Sequence, residues 1–355
     1  MEPHPILLAP TLLCENSLSM DLYAENLITE FLAMSDAPQW KSISPSTRPS
    51  STKTFRYLLR NVAYPLVVRM SPKESILHVL DHSNGHLCRH HPRSVVTCHD
   101  IAEYRETALN SRQLNHWKWR VEGMKAAHRI IAISHHTKKD VLDLLDIPED
   151  RVEVAHYGVD PLFKSWDRAS LEGRFPELDR PGLKILHIGS NIQRKNIPVL
   201  IRALGILKSR KVDFSLIKVG QDFPPEQKEM IRAVGIQDQI VFLGNRATSE
   251  LPMIYSMCDV FVFPSTYEGF GRPILEAQGC GTPVILAESS CLPEVGGIGA
   301  LYFPPKDPEA LAGRIMEIQD SSVRDGLISA GFENTRRFNW RSHAEKVIGV
   351  YRSIS

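Results

Sequence analysis

The chain has 355 residues, 43% hydrophobic and 23% charged, with a formal net charge of +1. That length suits two domains better than one. The composition is that of an ordinary globular protein, and the near-zero charge gives no overall field for wrapping nucleic acid. Six cysteines, Cys14, Cys88, Cys98, Cys258, Cys280 and Cys291, are scattered without metal-ligand pairs or a disulfide-dense pattern, which points to a reducing compartment. No stretch reaches the length that spans a bilayer, and residues 1–9 lack the basic lead and long apolar core of a signal peptide, so a cytoplasmic protein is expected.

Ile6 to Ala9 reads as the first strand, and Leu22, Tyr23, Leu27 and Phe31, recurring at three and four residues, as the face of the first helix. The loop between them, residues 13–20, holds no glycine. From Ala37 through Lys73 there is no Asp or Glu, while Lys41, Arg48, Lys53, Arg56, Arg60, Arg69 and Lys73 are basic. Pro38 to Ser51 reads as irregular surface chain. Phe55, Leu58, Leu59, Val62 and Leu66 then make an apolar stripe on a helix limited by Pro65. The stripe suits an anionic membrane surface or a lipid-linked phosphate acceptor, and equally suits packing on the protein's own sheet. Ile76 to Leu80 and Val95 to Cys98 are the next strands, and the histidine-rich run from Asp81 to His91 between them lacks the spacing of a closed zinc site. The second of these strands delivers His99, beside Asp100, to a carboxyl end, where open α/β sheets gather ligand groups. Tyr104 to Arg129 is basic and rich in tryptophan, and the strands Arg129 to Ser134 and Val152 to His156 follow.

Ser165 to Gly182, broken by Gly173, Pro176, Pro181 and Gly182, reads as a linker. A second alternation opens with Leu183 to Gly189, where glycine permits close backbone approach and Lys195 offers a point charge to a diphosphate. Phe214 to Val219, running into Gly220, and Ile240 to Gly244, running into Asn245, are further strands, and Leu251 to Cys258 is a short helix. Val260 to Phe263 is long enough for a buried parallel strand and too short for a buried helix. It breaks at Pro264 and Ser265. In Glu268-Gly269-Phe270-Gly271-Arg272 the glycines let backbone N–H groups approach a ligand, and Pro273 is expected to open a helix with Glu276 in its first turn. A strand end, a bare loop and a helix N-terminus with a carboxylate on each side can bind hydroxyls and anions together.

Glu268 and Glu276, with Gly-Phe-Gly and Pro between them, Pro264-Ser265-Thr266-Tyr267 before and Ala277 after, resemble the signature of the large retaining glycosyltransferase family 4. That family includes many bacterial mannosyl-, glucosyl- and rhamnosyltransferases. The resemblance runs over nearly the whole chain, including Ser134 through Phe163 and the terminal segment from Phe338 to Tyr351. It implies the α/β GT-B fold, two Rossmann-like domains facing one another across a cleft. An acceptor domain would span residues 1–175, a donor domain 182–335, and a helix in 336–355 would cross back to the first. Glu276 would hold ribose hydroxyls and Glu268 donor-sugar hydroxyls. Gly269, Phe270 and Gly271 would contact the sugar and diphosphate, Gly189, Arg194 and Lys195 the diphosphate, Gly220 the nucleotide, and Asn245 the base. His99 would sit beside the transferred sugar, and Arg56, Arg60, Tyr104 and Arg105 would receive the acceptor. The catalytic set is then His99, Lys195 and Glu268. Two departures stand out: the family's first loop is commonly glycine-rich, and Ser190-Asn191 stands where it has an arginine, leaving Arg194 as the nearby substitute.

The reaction so implied is retaining transfer of a hexose from a nucleotide sugar to a saccharide or lipid-linked acceptor, without a metal or other cofactor and without nucleic acid. GDP-mannose is slightly preferred over UDP-glucose, because Tyr267 to Glu276 and the turn Leu292-Pro293-Glu294-Val295 look most like bacterial mannosyltransferases. The protein would work in the cytoplasm, touching the inner face of the membrane. Two other readings stay open: a non-catalytic sugar-binding or assembly protein, favoured by the two altered loops, and a sugar phosphorylase. A dinucleotide oxidoreductase would need Gly-x-Gly-x-x-Gly after the first strand, which this chain lacks.

Overall fold

The computed structural model describes residues 4–12, 18–45, 53–102 and 111–355. They form two compact units, Met1–Gly158 with Trp340–Ser355, and Val159–Asn339. No helix among the described residues is long and apolar enough to cross a membrane.

The first unit is built on a parallel sheet in the order β2-β1-β3-β4-β5-β6. Its strands are β1 (Ile6–Ala9), β2 (Trp40–Ser42), β3 (Ile76–Val79), β4 (Ser94–Cys98), β5 (Arg129–Ala132) and β6 (Val152–Val154). β1, β3 and β4 are buried on both faces, as central strands of a parallel sheet are, with the polar His78, Ser94 and Thr97 buried along with the apolar residues. β2 falls in a segment that reads as irregular chain. It is a three-residue edge strand pairing only with β1 and largely exposed, so it carries no apolar run.

The basic segment is helical from Lys53 to Met70, with a π turn over Leu59–Ala63 in the middle. That turn lengthens the inward repeat. Leu59, Tyr64 and Val68 face the core, a step of five and then four, while Phe55, Leu58, Val62, Leu66 and Met70 are exposed. The expected stripe is therefore split, with Leu59 inside and its other members in solvent. Pro65 does not end the helix. It sits at the start of the segment after the π turn, where the hydrogen-bond register changes and its missing N–H is tolerated.

The helix Trp340–Arg352 belongs to this unit, burying Trp340, His343, Ala344, Val347, Ile348 and Tyr351. A Cβ on Gly158 would collide with the Trp340 backbone, so only glycine fits that approach. A buried hydrogen-bond chain ties the helix to the sheet. The Tyr351 hydroxyl meets His78 Nδ1 at 2.6 Å, His78 Nε2 meets Thr97 Oγ1 at 2.8 Å, Thr97 meets the Tyr23 hydroxyl at 2.9 Å, and Tyr23 meets His343 Nε2 at 3.3 Å. Burial pushes the pKa of His78 down to about 3 and of His343 to about 4, so the chain is neutral at pH 7 and its polar groups are paired.

The second unit carries β7 (Leu183–Gly189), β8 (Phe214–Gly220), β9 (Ile240–Gly244), β10 (Val260–Phe263), β11 (Val284–Ala287) and β12 (Ala300–Phe303), in the parallel order β12-β11-β10-β7-β8-β9. The division between units falls at Gly158 rather than near 175 because the following segment packs on the second one. Trp166 N donates to Ser256 Oγ at 3.0 Å, and Arg168 donates to the Ser256 carbonyl at 2.8 Å and to Asp259 at 2.7 Å. The chain steps outward from β7 to β8 and β9, then returns to β10 on the other side of β7. The loops after β7 and β10 thus diverge at a topological switch point, which opens a crevice at the carboxyl ends of the strands.

Candidate active site

β7 ends at Gly189, with φ +136°, and the chain passes through a short turn at Gln193–Lys195 into the helix Ile197–Ser209. Asn196 takes φ +54° at that junction and its Nδ2 reaches the carbonyls of Pro264 at 3.1 Å and Pro305 at 2.7 Å. β10 ends at Phe263, and Thr266 N donates to the Arg194 carbonyl at 2.8 Å, joining the two loops. Their side chains converge on one carboxylate. Lys195 Nζ lies 2.6 Å from Glu268 Oε1 and Arg194 Nη1 lies 2.9 Å from Oε2, with Glu268 only 8% exposed. Lys195 also sits 4.8 Å over the Phe263 ring.

The backbone of Glu268 is held as firmly as its carboxylate. Its N–H donates to Ser290 Oγ at 3.1 Å and its carbonyl accepts from Cys291 Sγ at 3.1 Å. Ser290 itself adopts φ +47°, a left-handed conformation that a non-glycine residue takes at a cost. Two cations facing one carboxylate leave a net positive charge at the mouth of the crevice, and charge-assisted bonds of this kind are short and directional.

Gly271, at φ +90°, turns the chain into the helix Arg272–Gly279. This helix starts one residue before Pro273, so Glu276 lies in its second turn rather than its first. Glu276 Oε2 accepts from the Tyr255 hydroxyl at 3.1 Å. Burial raises the pKa of its carboxyl, against the pull of Arg272. Phe270 is 3% exposed, with its ring 5.8 Å from Phe338 and its carbonyl accepting from Cys291 Sγ at 3.2 Å, and so is a packing residue. Gly220 ends β8 in register with Gly189, whereas Asn245 follows β9, at the sheet edge, and is exposed.

In the first unit His99 is 3% exposed, with Nε2 2.7 Å from the Leu80 carbonyl and Nδ1 bonded to the Tyr157 hydroxyl. Burial holds its pKa near 4, with Asp81 opposing. Both ring nitrogens are thus engaged inside the unit, which suits a neutral positioning group and not a proton carrier. Tyr104 and Arg105 lie outside the described residues. Arg56 and Arg60 are on the helical segment with the exposed apolar face, and the Arg60 carbonyl lies 3.2 Å from His86 Nε2.

Residues 29–162 match the family model described as glycosyltransferase family 4, and residues 174–333 the model described as glycosyl transferases group 1. The fold aligns with that of the Anabaena HepE protein in complex with UDP at a TM-score of 0.73, with 18% identity, over 99% of this chain and 100% of that one. The chain is a glycosyltransferase of the GT-B fold. Over 272 residues the transferase is 28% identical to the O-antigen chain mannosyltransferase B of Escherichia coli, covering 74% of this chain and 71% of the relative. Over 275 residues it is 28% identical to the D-inositol 3-phosphate glycosyltransferase of Acidothermus cellulolyticus, covering 73% of this chain and 61% of that longer relative.

Proposed function

We propose that the transferase moves a hexose, with mannose favoured, from a nucleoside-diphosphate sugar to a saccharide or lipid-linked acceptor, with retention at the anomeric carbon. The observation that carries this is the convergence of Lys195 and Arg194 on Glu268 at the switch point of the second unit. The two cations stabilise the charge that grows on the departing diphosphate, without a metal in that role. Released from them, Glu268 accepts hydrogen bonds from donor-sugar hydroxyls, while Glu276 accepts from the ribose. The acceptor hydroxyl enters on the face that the diphosphate leaves. Its oxygen bonds to the anomeric carbon as the carbon–oxygen bond to phosphate breaks, and its proton passes to the released phosphate oxygen. His99 steadies the sugar side as a neutral group.

The mannose preference draws support from the E. coli O-antigen mannosyltransferase, which makes GDP-mannose the favoured donor over UDP-glucose. Calorimetry with GDP, UDP and their sugar conjugates, with and without EDTA, tests this. One nucleoside diphosphate is expected to bind selectively and equally well in EDTA. Absence of binding to any of them would favour the non-catalytic reading, and phosphate-dependent turnover without nucleotide would favour a phosphorylase.

The partner on the acceptor side is an anionic membrane surface, met at the inner face of the membrane by a cytoplasmic protein. Phe55, Tyr57, Leu58, Val62, Leu66 and Met70 expose between 47% and 85% of their surface along one helical segment, where a globular protein gains nothing from leaving them in water. The flanking charge is all basic from Lys41 to Lys73, and Arg89 sits 5.0 Å over the exposed Trp119 ring. His90 and His116 are held below the usual histidine range, first by burial and then by neighbouring arginines, as expected in a positive field. Flotation with vesicles of neutral lipid, alone or with phosphatidylglycerol, is the check. Binding should require the anionic lipid and fall at least tenfold in a Leu58→Asp, Val62→Asp double variant. Equal recovery with both vesicle types would remove the membrane from the account.

A further inference from the structure

Lys218 is the one lysine buried among the described residues, with no exposed surface. It lies on β8, in register with His187 of β7. Its ammonium donates to the Gly189 carbonyl at 2.5 Å and to the Val219 carbonyl at 3.1 Å, and lies 6.0 Å from the centre of the Phe223 ring. No carboxylate among the described residues forms an ion pair with it. Burying a charge with only carbonyl partners is costly, and a methionine or leucine would fill the same strand position without that cost.

The location supplies a reason for keeping it. Gly189 and Gly220, at φ +136° and +104°, end the two strands side by side, and a Cβ on Gly220 would come within 2.6 Å of the Gly189 carbonyl oxygen. That oxygen is the one Lys218 holds. The loop that follows, Ser190-Asn191-Ile192-Gln193, carries no charge before Arg194. A carbonyl pulled down into the sheet fixes the orientation of the peptide that follows it, here the Ser190 N–H, while the next amide, Asn191 N, donates to Gln221 Oε1 at 3.4 Å.

We propose that Lys218 is a positioning residue for the donor diphosphate. It anchors the Gly189 peptide so that the Ser190 amide faces the phosphates, and it supplies from beneath the positive charge that Ser190 to Gln193 lack. The inference rests on the donor-site reading above. Three titratable groups face the ammonium. Asp222 favours its charged form and Lys195 opposes it, while His187, hydrogen-bonded to the Val262 carbonyl at 3.1 Å, is held neutral by burial with its pKa at about 3. Burial brings the Lys218 pKa down to about 8, close enough to neutrality for its charge to be lost in mildly alkaline buffer.

The test is calorimetric binding of the preferred nucleoside diphosphate, and of the matching nucleoside, to the full chain and to Lys218→Met and Lys218→Gln, between pH 6.5 and 9.5. Both variants should melt no lower than the wild type, since each removes a buried charge. Each should bind the diphosphate about ten- to thirtyfold more weakly at pH 7 while holding the nucleoside unchanged. The wild type should lose diphosphate affinity as the pH rises through 8 to 9, and the variants should show a flat profile there. A folded variant that binds diphosphate like the wild type, or keeps the alkaline loss, overturns the role of Lys218 alone. A wild type that binds no nucleoside diphosphate overturns the donor-site reading, and this inference with it.

Discussion

Glu268→Gln is expected to lower sugar transfer by roughly 10²–10³-fold while the variant holds free nucleoside diphosphate about three- to tenfold more tightly than the wild type. The two effects have opposite signs because, in the proposed donor site, Glu268 competes with the diphosphate for the same two cations. With Lys195 Nζ at 2.6 Å and Arg194 Nη1 at 2.9 Å, its carboxylate holds both cations itself. Replacing it with an amide leaves both cations to the phosphates and removes a negative charge from their neighbourhood. The amide is a poorer acceptor for sugar hydroxyls, so the sugar moiety and the transition state lose more than the phosphates gain. The side chains are only 10% to 22% exposed, so the broken ion pairs also cost stability, about 1–3 kcal/mol after allowing for the bonds that glutamine keeps. A melting curve in saturating nucleoside diphosphate should recover much of that loss. If diphosphate affinity instead fell in step with activity, Glu268 would be a structural support of the loop and its ion pairs would have no part in exchanging partners with the donor.

The sequence makes legible those parts of the fold that depend on local pattern. β1 and β10 coincide with apolar runs flanked by a proline, because strands buried on both faces need no alternation, and β7 and β9 are marked by the glycine that ends each of them. β2 has no such run, being a three-residue strand at the edge of its sheet. The π turn at Leu59–Ala63 is invisible to a period of 3.6, which puts Leu58, Leu59 and Val62 on one face where the structure separates them. Lys218 carries no mark in the sequence beyond its place in the strand Phe214 to Val219. Only the covering of both faces of the sheet buries it, and that is a property of tertiary structure.

The site was legible in the same uneven way. The glutamate pair stands out because Gly269, Gly271 and Pro273 are concentrated around it. The convergence of Arg194 and Lys195 on Glu268 joins residues 73 or more apart in sequence, and no local spacing reports it. Ser290 and Cys291 belong to a segment, Ser289 to Gly297, that reads in sequence as closing the site region, but nothing in the sequence reports that they fix the Glu268 backbone. His99 was visible as a strand-end histidine. Its two internal partners, Leu80 and Tyr157, come from segments 19 and 58 residues away and change its expected part from open side chain to held one.

Glu276→Gln should separate binding from stability. The raised pKa of this carboxyl has burial as its first cause, so the folded state favours the protonated form. A carboxyl whose pKa is higher in the folded than in the unfolded chain adds stability below its unfolded value of about 4.5, and that stability is lost as pH rises through the folded value. Once ionised, Glu276 is therefore a cost to the fold. The glutamine variant should melt at the same or a slightly higher temperature above the folded value, and its stability should lack the decline that the wild type shows as the pH is raised above the unfolded value. Binding runs the other way. Two ribose hydroxyls donating to an ionised acceptor each contribute about 1.5–3 kcal/mol, part of which an amide retains, so nucleotide-sugar affinity should fall about a hundredfold. Glu276→Ala should lose as much affinity and also some stability, because it strands the buried Tyr255 hydroxyl that now donates at 3.1 Å. A nucleotide lacking both ribose hydroxyls completes the cycle. Wild type and Glu276→Gln should bind it equally weakly, since the group and its partner are then removed from the same interaction. A hundredfold difference that persisted with this nucleotide would move Glu276 from the ribose to some other part of the donor.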